Sequence, residues 1–155
     1  MTIYNLEIER AIRRGIIEKG KKALDKYSIL EYTGVVSDWE IKRTDQFLRD
    51  LKKLQKARPV ETAKVLLNLE AYLAALRQCD NPLQLIKLMT CVHREESGCH
   101  AITQQPLPRN AVPVRLYLYA CVIDKIVYLI CAGTKQSQHK DNQFCKEFIQ
   151  NLSKK

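Results

Sequence analysis

Val114-Arg115-Leu116-Tyr117-Leu118-Tyr119-Ala120-Cys121 and, a few residues on, Lys125-Ile126-Val127-Tyr128-Leu129-Ile130-Cys131-Ala132-Gly133 are the runs whose reading decides the fold. Both are apolar, aromatic and β-branched, and only a short turn around Ile123-Asp124 separates them. They predict an antiparallel β-hairpin. Alternation along the first run puts Arg115, Tyr117 and Tyr119 on one face and Leu116, Leu118 and Ala120 on the other. One face must belong to the core. The other is either a functional site or a solvated sheet surface.

Downstream, Phe144, Phe148, Ile149 and Leu152 mark one face of a closing helix. Gln138 and Asp141 stand at its start, where an acid offsets the positive helix end, and are expected to cap and orient it. Upstream, PLPRNAVP (106–113) is a loop bracketed by prolines, CHAITQ (99–104) a strand and HREESG (93–98) a polar turn. Leu83, Leu85, Ile86 and Leu88 fit either a short helix after Pro82 or an extended lead into the sheet.

Further back the period becomes helical. Phe47, Leu48, Leu51 and Leu54 form an apolar stripe with Arg49, Lys52, Lys53 and Lys56 facing outward. Thr44 or Asp45 can accept from free backbone amides and start that helix. Pro59 suits the first turn of a second helix, which carries Val65, Leu66, Leu69, Tyr72, Leu73 and Leu76. The two read as an antiparallel helical hairpin. Trp39, Ile41 and Arg43 alternate with Glu40, Lys42 and Thr44 as a strand. Before Ser37, Leu6, Ile8, Ile12 and Ile16 predict a helical arm weakened by Gly15 and Gly20. The expected architecture is α+β. An N-terminal helical arm spans 1–36, and a domain over 37–155 packs a helical hairpin on a small antiparallel sheet with a C-terminal helix.

A length of 155 residues suits one domain with its own core. The 26 Lys+Arg against 17 Asp+Glu leave a net charge of +9, which points to a polyanionic partner or to a lysine-rich solvated surface. No apolar run is long enough to span a bilayer, and MTIYNLEIER carries acids where a secretory leader has a basic region. The expectation is a cytoplasmic protein with reduced cysteines and no membrane partner. Cys91, His93, Cys99 and His100 supply zinc-ligand types, but C-x-H-x5-C-H is not a zinc spacing, and adjacent Cys99 and His100 would point to opposite faces of a strand. No metal and no cofactor is expected. There is no P-loop, nucleophile elbow or paired-carboxylate pattern.

Arg115-Leu116-Tyr117-Leu118, then a second strand from Lys125 to Ala132, then Gly133, Lys135, Gln138 and Asp141 follow one another in a distinctive register. This order resembles the phage-derived HigB-like branch of the RelE/HigB/ParE toxin superfamily. There an arginine-led strand and its partner run into G-x-K-x-x-Q-x-x-D-I-x-x-A. Asn142 stands where that pattern has isoleucine, and Cys145 where it has alanine. Phe47 to Leu54, F-x-x-D-L-K-K-L in type, is similar to the first helix of these families. The likeness covers residues 38 to 153. The arm has no counterpart, and the loop from Gln104 to Val112 is longer than usual.

The resemblance implies a RelE-like fold and the toxin of a type II toxin–antitoxin pair, a metal-independent endoribonuclease acting on messenger RNA. A ParE-like inhibitor of DNA gyrase and a non-catalytic binding module are the rival readings. Cleavage by attack of a ribose 2′-hydroxyl needs a proton acceptor, cations for the phosphorane and a donor for the leaving oxygen. Arg115 and Lys135 are the candidates for phosphate, His139 for acid or base, and Tyr117 for proton donation or base stacking. Tyr119, Lys140, Arg49, Lys52 and Lys53 are candidate RNA contacts, with His93, Glu95 and Glu96 in reserve. The expected partners are a cognate antitoxin, RNA and, through the arm, a second copy of the chain.

Overall fold

The computed structural model describes residues 39–105, Leu107 and residues 109–155. The expected arm, its boundary near Ser37 and any dimer built on it lie outside the described residues. β1 (Glu40–Arg43) leads into α1 (Asp45–Ala57), α2 (Pro59–Cys79) and the short α3 (Pro82–Leu88). Then come β2 (Val92–Arg94), β3 (His100–Thr103), β4 (Val114–Cys121) and β5 (Ile126–Thr134). A single 3₁₀ turn, Lys135–Ser137, hands the chain to α4 (Gln138–Ser153). The protein is α+β.

Local chemistry sets the breaks. The Thr44 hydroxyl accepts from the Phe47 amide at 3.0 Å and starts α1. Asp80 ends α2 in the left-handed region at φ 52°, and the Asn81 side chain caps α3. Proline opens both α2 and α3, where its missing N–H costs nothing.

The sheet has five strands in the order β1-β5-β4-β3-β2. It is mixed, which corrects the expected antiparallel sheet, because β1 runs parallel to β5 while the other pairs are antiparallel. Two further elements add to the expectation. Pro82–Leu88 takes the helical alternative, and Val92–Arg94 is a strand too short to show alternation.

β1 pairs with β5 only from Ile126 to Leu129. Beyond that, α1 covers the open edge. Thr44 donates its hydroxyl to the Ile130 carbonyl, and Asp50 accepts from the Ala132 amide at 3.2 Å. Polar side chains thereby satisfy backbone groups that an edge would leave bare.

The leucine face is core: Leu116, Leu118, Val127 and Leu129 pack against Phe47, Leu51, Leu69 and Leu76 of α1 and α2. The opposite face is not a solvated surface. α4 lies over it, and Cys99, Ala101, Tyr117, Ile130, Cys131 and Cys145 form a second, smaller cluster. Alternation fails at one point. Tyr117 pairs with Cys131 but Leu118 pairs with Leu129, so Ile130 is the extra residue of a β-bulge, and both Ile130 and Cys131 enter the second cluster. Among the described residues, no helix is long and apolar enough to cross a membrane.

Candidate functional site

Glu95 leaves the end of β2 in a tight turn closed by its amide donating to the Cys99 carbonyl at 3.0 Å. Gly98 completes that turn at φ 86°, a backbone conformation that side chains resist. The turn folds the Glu95 side chain under α4, where it is 5% exposed. Arg115 reaches it from β4 with Nη1 at 2.7 Å from Oε1. From α4, Gln138 Nε2 donates to Oε2 at 3.1 Å and Asn142 Nδ2 at 2.8 Å. A buried carboxylate is tolerated only with such a set of donors, one of them a cation. Ser97 extends the network, donating to Asn142 Oδ1 at 2.9 Å and lying 2.7 Å from Cys99 Sγ.

His93 sits on the same face, two strands from Arg115, its Nε2 3.0 Å from Thr103 Oγ1. Burial, and after it the positive charge of Arg115, holds its pKa below the usual histidine value, against a smaller opposing pull from Glu95. At neutral pH this imidazole is uncharged and can accept a proton.

Arg115 is not the open phosphate clamp the alternation suggested. Its side chain is 16% exposed, one terminal nitrogen is on Glu95, and Nε is buried without a partner. Tyr117 is wholly buried beneath α4, and its hydroxyl has no partner. Burial, followed by the carboxylates of Asp141 and Glu95, drives its pKa far above the usual phenol range. It cannot stack a base or serve as a proton donor to a bound substrate. Tyr119 is half-buried and packs at the margin of the second cluster.

Lys135, His139 and Lys140 are exposed around the start of α4, next in sequence to Gln138, which touches Glu95. Arg49, Lys52 and Lys53 are exposed on α1. The Asp141 carboxyl is raised by burial and by the charge of Asp50, against a lowering bond from Ser137.

The Gly133-to-Asp141 string divides into scaffold and site. A Cβ at Gly133 would collide with the Ser137 hydroxyl and the Asp141 carboxylate, while Ser137 donates to Asp141 at 2.6 Å. Glycine and aspartate there shape the turn. Gln138 does not cap its helix; it reaches Glu95. The two departures from the pattern both face the sheet: Asn142 binds Glu95, and Cys145 lies 3.6 Å from Cys131, sulfur to sulfur. Asn142 and Ser97 are the site residues that sequence reasoning missed, although the polar residue at an apolar helix position was the available signal.

The zinc-type residues do not converge: Cys91 belongs to the hairpin-side core and Cys99 to the cluster under α4. No group of three or more His, Cys, Asp or Glu among the described residues is placed to hold a metal. No protein-family model, characterised protein or solved structure matches the chain.

Proposed function

We propose that this chain is a metal-independent endoribonuclease of RelE-like fold, the toxin of a toxin–antitoxin pair acting on messenger RNA in the cytoplasm. The observation that carries the reading is that His93 and the Glu95-braced guanidinium of Arg115 share one face of the sheet. His93 takes the 2′-hydroxyl proton as that oxygen attacks the adjacent phosphorus. Glu95 fixes the guanidinium plane, so Arg115 lends its positive charge from beneath the surface while the exposed Lys135 meets the phosphorane. His139 returns a proton to the leaving 5′-oxygen. Exposed Arg49, Lys52, Lys53 and Lys140 hold the flanking phosphates, a sequence-independent contribution that salt weakens. A cognate antitoxin covers the same basic surface.

One observation favours the rival, a non-catalytic binder such as a gyrase inhibitor: Arg115 is already engaged and mostly buried. The deciding experiment incubates the purified chain with end-labelled RNA in EDTA. Cleavage leaving 2′,3′-cyclic phosphate ends is expected, with His93→Gln slower by about 100- to 1000-fold. Intact RNA beside inhibited gyrase supercoiling would establish the rival instead.

A further inference from the structure

We infer that the open edge of β4 at Tyr119–Cys121 is a docking site for an extended, acidic segment of a partner polypeptide. β4 runs to Cys121, but β3 pairs with it only from Arg115 to Leu118. The reason is the turn that folds Glu95 under α4, which takes the chain out of the sheet at Cys99. On that side, residues 119–121 have no strand partner among the described residues. The contrast with β5 is direct, since its free edge is covered by Thr44 and Asp50.

An open strand edge offers main-chain donors and acceptors in line, a pattern that another extended backbone matches and a nucleic acid does not. Beside it lies a groove of about 550 Å3 between the α2–α3 corner and the sheet. Pro82, Leu83, Ala120 and Val122 give it apolar walls, and His100 and Tyr119 line it as well. Leu83 is 62% exposed and Val122 49%, so a strand laid on the edge would bury them under apolar side chains at alternate positions.

Charge selects the remaining positions. Asp80, the acid of the groove, is ion-paired with Lys125 at 2.9 Å and accepts from the Trp39 indole N–H at 2.7 Å. Arg94, register partner of the groove residue His100, is exposed and has no ion-pair partner among the described residues. On a chain of net charge +9, Arg94 favours glutamate or aspartate at the outward positions of the docked strand.

This inference does not depend on the nuclease reading. The test uses the full-length chain and a synthetic peptide of about ten residues that alternates Glu and Val, a length typical of strands at its upper end. Controls are the Lys–Val counterpart and a Glu–Val peptide N-methylated along one edge. Expected are binding of the Glu–Val peptide alone, and slowed amide exchange at Tyr119–Val122. Leu83→Glu should weaken binding at least about tenfold. Leu88→Glu, equally exposed but outside the groove, should not change it.

Absence of binding would overturn the proposal, as would equal binding of the Lys–Val peptide or indifference to N-methylation. Protection, in the free chain, of those amides of 119–121 that point away from β5 would also overturn it, because the edge would then already be filled by the chain itself or by a second copy. Sedimentation of wild type and Leu83→Glu separates those two occupants.

Discussion

The two faces of the sheet are built on opposite principles. Toward α1 and α2, Leu116 and Leu118 meet Phe47, Leu51, Leu69 and Leu76, and the contact is mainly apolar, with polar bonds such as those of Asn68 and Asp50 to the sheet backbone at its margin. Toward α4, the cluster is small and interleaved with Glu95, Arg115, Gln138, Asn142 and Asp141. An apolar face tolerates imperfect fit, since losing one contact costs only its share. A buried polar network does not, because removing one member strands its partners without water. The α4 face should therefore be the more fragile one, residue for residue, despite its smaller core.

The sharpest way to break that comparison is Arg115→Ala. It leaves Glu95 buried beside only neutral donors and should cost about 3–5 kcal/mol in denaturant unfolding. The double variant Arg115→Leu with Glu95→Leu should recover much of that loss. If the single variant unfolds like wild type, the pair is solvated and the contrast between faces fails. This expectation also bears on activity: loss of cleavage in Arg115→Ala means something only where the variant is shown to be folded, as Arg115→Lys should be.

Leu116→Ala probes the other face. It should cost about 2–5 kcal/mol, equally at pH 5.5 and pH 8, because no ionisable group is involved. A marked pH dependence would mean that the leucine touches the polar network.

Glu70 sharpens the comparison from within α2. Burial raises its carboxyl from 4.5 to about 7. An acid raised on folding weakens the fold as pH climbs from 4.5 to about 7, since the unfolded chain ionises first. Glu70→Gln should thus stabilise by about 1–3 kcal/mol at pH 8 and change little at pH 4. Thermal melts at the two pH values check it, and stabilisation of the same size at both would assign the effect to something other than ionisation.

The smallest effect has the opposite sign. His93 and His100 are held below 6.5, chiefly by burial. Their contribution is complete above 6.5 and is lost as pH falls below it, when the unfolded chain takes up protons first. His100→Gln should flatten the acid limb of the stability curve between pH 6.5 and 5. An unchanged limb would put the ring in contact with water.

The hairpin of β4 and β5, the α1 stripe and the α2 stripe were legible because each repeats its period several times. Thr44 and Pro59 marked helix starts through local chemistry alone. The site was half legible. Arg115, Lys135 and His139 stand out in the sequence, with His93 and Glu95 in reserve, but no local pattern shows that Arg115, Gln138 and Asn142 converge on Glu95. Tyr117 was misread because alternation reports that a residue faces away from the leucines, not what covers it.

By itself the sequence determined the period of each long element, the partition of β4 into two faces, the starts of α1 and α2 and the basic balance of the chain. Each follows from neighbours a few residues apart, through dihedral preference and side-chain periodicity. Only the tertiary structure decided that β1 joins β5 in parallel, that Ile130 bulges, and that α4 roofs the arginine face. These depend on groups far apart in sequence: Thr44 on Ile130, Asp50 on Ala132, and Glu95 on Arg115, Gln138 and Asn142. A buried charge must find its partners in space, and no local pattern names them.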